Sequence, residues 1–239
     1  MLPHPPITVR KATILDLPTI ATVLTTAFWD EDSVGRFLHP LRALYPADVR
    51  RFWKRRMLAS LLHHAHQVLV AVDEHGQIIG VADWQRKGPG ANTSMGGWKR
   101  TLRFPLTWLV TLVNWLDLRM RPNRAGDPAH VDAFPRAFAR FEHFWSGERA
   151  DLWMLESLGV DPSHQGRGVG TALVEEGLKV ATRDGVVASV VSSAGNEKFY
   201  VKRGFTVRLG NVTEGEGNPL AGVMGGDVFF TPGGMDAVE

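Results

Sequence analysis

Cysteine is absent from the 239 residues of the sequence. Its absence excludes disulfide bonds, thiolate nucleophiles and cysteine-ligated zinc. A run of about 18 uncharged apolar residues, which a membrane-spanning helix needs, is absent as well. The nearest stretch, residues 104–116, is shorter and contains Pro105 and Asn114. The first residues do not combine a basic segment with a following apolar one, so no secretory signal is predicted. We therefore expect a cytoplasmic protein without a transmembrane segment.

An excess of charge of one sign is missing too. The sequence has 27 Lys and Arg against 25 Asp and Glu, a formal net charge of +2, which gives little support to a nucleic-acid partner. Hydrophobic residues make up 44% and charged residues 22%, the balance of an ordinary soluble globular chain. A chain of this length can bury a full core, and we expect a single domain over residues 1–239.

Hydrophobic periodicity predicts an α/β chain in which strands and helices alternate. Strands are predicted over 7–13, 67–73, 77–84, 151–160, 186–192, 205–209 and 227–231, and helices over 17–29, from about 47, over 168–183 and over 196–203. The pattern changes between 88 and 149, where a tryptophan-rich helix near 104–120 precedes a second helix near 130–147. Because strand patterning resumes directly afterwards, we interpret residues 88–149 as an insertion.

A glycine-rich loop joins the predicted strand 151–160 to the helix 168–183. It contains the segment Gln165-Gly166-Arg167-Gly168-Val169-Gly170. Glycines let the backbone approach a ligand closely, and a helix N-terminus offers unpaired N–H groups to a pyrophosphate. The loop lacks the lysine of a P-loop and does not fit the G-x-G-x-x-G spacing of a dinucleotide site. Either another kind of phosphate loop or a plain flexible connection remains.

The pattern Q-x-x-G-x-G in this loop resembles motif A of the GNAT superfamily of acetyl-CoA-dependent N-acetyltransferases. Asn196 and the segment Phe199-Tyr200-Val201-Lys202-Arg203-Gly204-Phe205 resemble the superfamily's N-x-x-x-(F/Y)-Y-x-x-x-G-F pattern, and the order of elements agrees. The resemblance implies a mixed, splayed β-sheet flanked by helices, with a core of about 7–87 and 150–231. The helical insertion would then separate the third and fourth strands. Acetyl-CoA is the implied co-substrate, without a metal.

The resemblance also implies roles for individual residues. The expected acetyl-CoA-binding residues are Leu158, Gly159, Val160, Gln165, Gly166, Arg167, Gly168, Val169, Gly170, Thr171 and Asn196. Tyr200 resembles the general acid that protonates the departing thiolate, and we favour Glu156 as the general base that takes the proton of the amine. A salt-bridged edge glutamate at 156 and a packing tyrosine at 200 are the structural alternatives.

Other polar side chains are weaker candidates. Asp83 is a second candidate for the base, although we favour a solvated, outward-facing carboxylate, and Glu31 and Asp32 could attract a cationic amine or lie in a solvated loop. Metal binding is not expected at the histidine cluster His63, His64 and His66, because no carboxylate is patterned near it. A solvated helix face is our interpretation of five basic residues: Arg50, Arg51, Lys54, Arg55 and Arg56.

The sequence therefore predicts an acetyltransferase that moves an acetyl group from acetyl-CoA to the amine of a small molecule. A protein or peptide acceptor, and a catalytically inactive acyl-CoA-binding regulatory protein, are the open alternatives. Apolar residues over 98–120, among them Trp98, Trp108 and Trp115, could form a homodimer or membrane-surface contact. Packing of this helix against the sheet is the simpler interpretation.

Overall fold

A seven-stranded mixed β-sheet forms the centre of the fold. The computed structural model describes residues 6–92 and 97–233, the segment 97–106 through its backbone alone. The strands are β1 (Thr8–Lys11), β2 (His66–Val72), β3 (Ile78–Lys87), β4 (Leu152–Val160), β5 (Val187–Ser193), β6 (Val207–Asn211) and β7 (Gly225–Phe230). They lie in the order β1-β2-β3-β4-β5-β7-β6, in which β4 and β5 run parallel and the other neighbours antiparallel.

Helices cover both faces of this sheet. They are α1 (Leu17–Ala27), α2 (Pro46–Leu62), α3 (Gly97–Met120), α4 (Ala133–Arg140), α5 (Val169–Arg183) and α6 (Glu197–Val201). On one face, α1 and α2 bury Ile20, Leu24 and Met57 completely. On the other face, α5 buries Leu173 and Val174. The predicted α/β architecture is confirmed, and α3 and α4 lie between β3 and β4 as expected.

The sheet opens between its two parallel strands. β4 pairs with β5 only from Leu152 to Leu155 and then continues to Val160 along β3 alone. A bulge lies at the point of separation, because Asp83 of β3 is opposite Ser157 whereas Trp84 is opposite Leu155. Glu156 is therefore the extra residue, and a bulge of this kind bends the strand and redirects its side chains. The predicted splayed sheet is confirmed.

The second of the two helices predicted for the insertion differs from the structure. A single helix over 130–147 is wrong, because α4 ends at Arg140 and short 3-10 turns follow at Glu142–Trp145 and Gly147–Arg149. The break lets aromatic side chains reach the sheet: Phe138, Phe141, Phe144 and Trp145 pack around Met154 and Phe230. The indole N–H of Trp145 also donates to Ser189 Oγ at 3.0 Å. Burial of these rings outweighs continuation of the helix.

The buried carboxylate of Asp48 fastens the insertion to α2. It accepts hydrogen bonds from the backbone N–H of Arg124 at 3.1 Å and from Arg124 Nε at 2.8 Å, and it also pairs with Arg51. Arg55 of α2 forms a second link, to Asp117 of α3 at 2.9 Å. These contacts hold the segment between α3 and α4 against α2, and α4 is positioned with it.

Asp48→Asn should lower the free energy of unfolding by about 2–3 kcal/mol, because it leaves Arg124 without its buried anion. The hydrogen bond from Arg124 lowers the pKa of Asp48. Its contribution is therefore present above the ordinary Asp pKa of about 3.9 and is lost as the pH falls through the lowered value. Urea unfolding of both proteins at pH 7 and at decreasing pH measures the difference.

The matched control is Asp132→Asn, which removes an exposed ion pair with Arg136. An exposed pair of this kind contributes less than about 1 kcal/mol. A difference between Asp48→Asn and the wild type that did not shrink at acid pH would contradict a charge-based role for Asp48.

The outer face of α3 carries large apolar side chains in contact with solvent. Trp108 is 66% exposed, Trp115 57% and Met120 71%, while Val110 is buried and the Asn114 side chain donates to the backbone oxygen of Arg55 in α2. The side chain of Trp98 lies outside the described residues. In the described part of the chain, no helix is both long and apolar enough to cross a membrane. A homodimer or membrane-surface contact through 98–120 stays a prediction.

Candidate active site

Two cavities meet where β4 separates from β5. The glycine cleft, of about 520 Å³, lies over the loop 164–171, and the apolar pocket, of about 600 Å³, lies between α2, α4 and the opened strands. Six residues line both cavities: Phe28, Glu31, Leu158, Ser193, Asn196 and Tyr200. A ligand in one cavity can therefore reach a ligand in the other at the end of β4.

The glycine cleft is built around the N-terminus of α5. Gly168 precedes the helix in a left-handed conformation with φ of 85°, and no side chain caps the helix at this end. The N–H groups of the first turn are therefore available to an anion. A Cβ atom added at Gly168 would meet no protein atom within 4 Å, so the space beside this residue is open to a ligand. The site has the donors and the room that the phosphates of a nucleotide-like ligand need.

The strand on the other side of the glycine cleft comes close to α1. A Cβ atom at Gly159 would lie 2.8 Å from Leu24 Cδ2, so glycine is needed for this approach. Of the expected cofactor-binding residues, ten line the glycine cleft: Leu158, Gly159, Val160, Gln165, Gly166, Gly168, Val169, Gly170, Thr171 and Asn196. The backbone of β4 beyond Leu155 has no β5 partner and supplies further hydrogen-bonding groups.

Arg167 is the expected cofactor-binding residue that the structure does not bring to the glycine cleft. It lines a separate depression of about 170 Å³ with Asp73 and His75 at the β2–β3 turn. The reason is local geometry, since the glycines on either side, Gly166 and Gly168, both adopt positive φ and direct the intervening side chain away from the helix N-terminus.

A different cation, Arg203, lines the glycine cleft. Its guanidinium lies 3.7 Å from the centroid of the Phe199 ring, donates to the backbone oxygen of Phe199 at 2.7 Å and also bonds Thr171 Oγ1. The sequence contained a signal for it, because Arg203 follows Phe199 by four residues and such a spacing brings two side chains together on one helical turn.

The apolar pocket receives much of its wall from the insertion. Val131, Phe134, Pro135 and Phe138, at and around α4, line it opposite Leu155 and Leu158 of β4. Leu220, Val223 and Met224, from the segment between β6 and β7, close another side. The sequence analysis assigned none of the residues that the insertion and the β6–β7 segment contribute, because they come from segments far apart in the chain and carry no pattern beyond being apolar.

Glu156 points into the apolar pocket from the bulge in β4. Its carboxylate forms two ion pairs, with Lys87 Nζ at 2.9 Å and with Arg56 Nη2 at 3.5 Å, and its side chain is 19% exposed. Arg56 belongs to the basic face of α2 that was expected to be solvated, yet it also lines the pocket. Glu156 is therefore salt-bridged, as the structural alternative expected, and it also faces the cavity, as a general base must.

Tyr200 lies at the junction of the two cavities. It is 7% exposed, and its ring packs edge-on against Phe199 at 5.1 Å and Phe205 at 5.8 Å between centroids. Burial raises the pKa of the Tyr200 phenol above its ordinary value. The hydroxyl therefore keeps its proton at neutral pH and can donate it to a group that becomes negatively charged at the junction.

Asp83 does not face solvent, and the solvated interpretation was wrong. It is fully buried, accepts a hydrogen bond from Ser60 Oγ at 2.7 Å and contacts His66 Nδ1 at 2.8 Å. It lines neither cavity. The carboxylate instead connects β3 to the end of α2 and the start of β2, which makes it a structural residue.

The remaining polar candidates divide between the pocket and the surface. Glu31 lines both cavities and accepts hydrogen bonds from Ser33 Oγ and the Val34 N–H at the start of a π-helical turn over Asp32–Leu38. Asp32 pairs with Arg36 in an exposed position. Across residues 6–92 and 97–233, no group of three or more His, Asp or Glu side chains could hold a metal ion.

The family model described as the acetyltransferase (GNAT) family matches residues 107–205, a range that contains β4, the glycine loop and Tyr200. Over this range the chain is similar to the GNAT acetyltransferase family. This match indicates an N-acetyltransferase. The match starts within α3, so the GNAT pattern includes part of the insertion.

Solved structures show the same GNAT fold. The histone acetyltransferase HPA2 and related acetyltransferase from Corynebacterium glutamicum is 20% identical with a TM-score of 0.59, and the alignment covers 97% of this chain and 99% of that one. The PaiA N-acetyltransferase from Thermoplasma acidophilum, solved with coenzyme A, is 13% identical with a TM-score of 0.51 and coverage of 95% and 98%. The mosquito arylalkylamine N-acetyltransferase-like 5b is 16% identical with a TM-score of 0.51 and coverage of 94% and 98%.

Proposed function

We propose that this GNAT enzyme transfers the acetyl group of acetyl-CoA to the amine of a small molecule that has an apolar body. One observation carries the proposal: a cleft with the donors that phosphates need and an apolar pocket meet at the end of β4, beside Tyr200. Two ligands placed in these cavities would present a thioester and an amine to each other at the junction. Holding both reactants in place makes an otherwise bimolecular reaction effectively unimolecular.

Acetyl-CoA fits the glycine cleft by its chemistry. The uncapped N-terminus of α5 offers N–H donors to the diphosphate, Arg203 supplies a cation, and the unpaired edge of β4 beyond Leu155 can pair with the amides of the pantetheine arm. The Thermoplasma acidophilum relative was solved with coenzyme A, which supports the same ligand here.

A small acceptor fits the apolar pocket by size and by lining. A volume of about 600 Å³ lies within the usual range for small-molecule sites, roughly 300–1,000 Å³. Phe134 and Phe138 of the insertion form one wall, which leaves less room for an extended peptide. The mosquito relative is an arylalkylamine N-acetyltransferase-like protein, and an amine on an apolar body is the acceptor chemistry that these walls favour.

The proposed reaction is a direct attack of the amine on the thioester carbonyl. The C–N bond of the amide forms, the C–S bond breaks, and coenzyme A leaves as a thiolate. Glu156 takes one proton from the ammonium group so that the nitrogen can attack, and the second proton that the nitrogen loses on amide formation passes to water. The Tyr200 hydroxyl gives its proton to the thiolate sulfur. Backbone N–H groups near Leu158 are donors for the oxygen on which negative charge develops. Water exchange restores both side chains after product release.

Acetyl-CoA at about 100 times its dissociation constant should stabilise the wild type by about 2.7 kcal/mol. Gly168→Ala should weaken binding by roughly tenfold or more, about 1.4 kcal/mol, because the added methyl projects into the open space that the ligand needs. A thermal-shift titration with acetyl-CoA measures both effects.

Gly185→Ala is the matched control, since Gly185 also has a positive φ (67°) and open space around its Cβ position but lies after α5, outside the glycine cleft. Both variants lose intrinsic stability through backbone strain, whereas only Gly168→Ala should lose the response to acetyl-CoA. Equal responses in the two variants would remove the glycine cleft from consideration as the acetyl-CoA site. Thiol release that fails with every primary amine offered would favour the inactive acyl-CoA-binding alternative.

A further inference from the structure

The charged side chains of the apolar pocket form a compact cluster. Four of them line it: Glu31, Arg56, Lys87 and Glu156. Glu156 alone pairs with both cations, through Lys87 at 2.9 Å and Arg56 at 3.5 Å. Glu31 is held separately by Ser33 Oγ and the Val34 N–H, at the side of the pocket that joins the glycine cleft.

This arrangement is unfavourable for a simple monoamine. Its ammonium group would have to compete for the carboxylate of Glu156 with the two cations already paired with it, and like charges at such short distances repel. A polyamine or guanidinoalkylamine would bring a second positive charge into the same pocket. The cluster therefore selects against acceptors whose only charges are positive.

An acceptor with its own carboxylate removes this conflict. Arg56 and Lys87 would then have a second anion to bind, and charge-assisted hydrogen bonds of this type are among the stronger ones in proteins. Arg56 is 42% exposed and Lys87 35%, so both cations can turn towards a ligand. The carboxylate of Glu156 would be left for the amine, the role that catalysis requires of it.

We propose that the acceptor is an apolar α-amino acid, so that the product is an N-acetyl amino acid. This inference rests on the proposed function and names the substrate class for the same site. The pocket holds a carboxylate, Glu156, beside two cations, Arg56 and Lys87. These charges are complementary to the ammonium and the carboxylate that an α-amino acid carries side by side. Phe52, Phe134, Phe138 and Met224 line the space left for its side chain, which favours an aromatic or long aliphatic one.

L-Phenylalanine and phenethylamine provide a sharp test, because they differ only in the carboxylate. Thiol release from acetyl-CoA should show kcat/KM for L-phenylalanine at least tenfold above that for phenethylamine, about the effect of one hydrogen bond to a charged group. Agmatine, with two positive charges, should be the poorest of the three acceptors. Arg56→Met should lower kcat/KM for L-phenylalanine by roughly tenfold and change that for phenethylamine by less than about threefold.

The control is Lys54→Met, which removes another exposed cation of α2 that does not line the pocket and should alter neither value. A wild type that prefers phenethylamine or agmatine would overturn the amino-acid inference and leave the proposed function intact. Loss of both activities in equal measure in Arg56→Met would also overturn it. If none of the three amines released thiol while acetyl-CoA still bound, the proposed function would fail, and the inference with it.

Discussion

Glu156→Gln should lower kcat by roughly 100-fold near neutral pH. Glutamine keeps the size and shape of the side chain and removes its ability to accept a proton. Alkyl amines are almost fully protonated at this pH, so a group at the acceptor must take the proton before the nitrogen can attack. Glu156 extends into the apolar pocket from the β4 bulge, two residues before Leu158 at the junction of the cavities. Steady-state thiol release with a saturating amine measures the loss.

The pH dependence separates this role from the loss of two ion pairs. If Glu156 is the base, the defect of Glu156→Gln should shrink as the pH rises towards the pKa of the amine, because the amine then loses its proton to solvent. If the defect came only from the missing partner of Lys87 and Arg56, it would be similar at every pH. Glu176→Gln, which removes an exposed pair with Lys179, should leave kcat unchanged. If kcat of the variant were lower than that of the wild type by the same factor at every pH, the proton acceptor would be water or Glu31 instead of Glu156.

Local backbone features of the site could be predicted from the sequence, and features that depend on two distant segments could not. The glycine loop and the helix after it are encoded within about twenty consecutive residues, and ten of the expected cofactor-binding residues line one cleft. The bulge at Glu156 is a property of the register between β3 and β4. Register is decided by pairing across about 70 residues of intervening sequence, and a single strand carries no sign of it.

The same distinction explains the errors at Asp83 and Arg167. Asp83 was expected to be a solvated, outward-facing carboxylate, but it is buried by partners that come from α2 and β2. Arg167 was assigned by its position in the motif, whereas its direction depends on the positive φ of the two neighbouring glycines. The wall that α4 contributes to the apolar pocket could not be predicted from the sequence either. It depends on how the insertion packs against α2, which the contact between Asp48 and Arg124 determines.

Tyr200→Phe should lower kcat by about ten- to a hundredfold and leave the affinity for acetyl-CoA nearly unchanged. The ring still fills its place between Phe199 and Phe205, so only the hydroxyl is lost. The missing proton matters when charge builds on sulfur, and a thiol of pKa about 8.5 is a fair leaving group, which limits the loss.

The pH profile and the second tyrosine make this prediction specific. Because burial raises the pKa of Tyr200, the wild type should show no loss of activity from phenol ionisation below about pH 10, the ordinary value for tyrosine. The variant and wild-type profiles should therefore run parallel over that range. Tyr45→Phe is the matched control, since Tyr45 is the other of the two tyrosines in the chain and lines neither cavity. If Tyr200→Phe turned over normally, or lost binding and turnover together, Tyr200 would be a packing residue and the thiolate would take its proton from water.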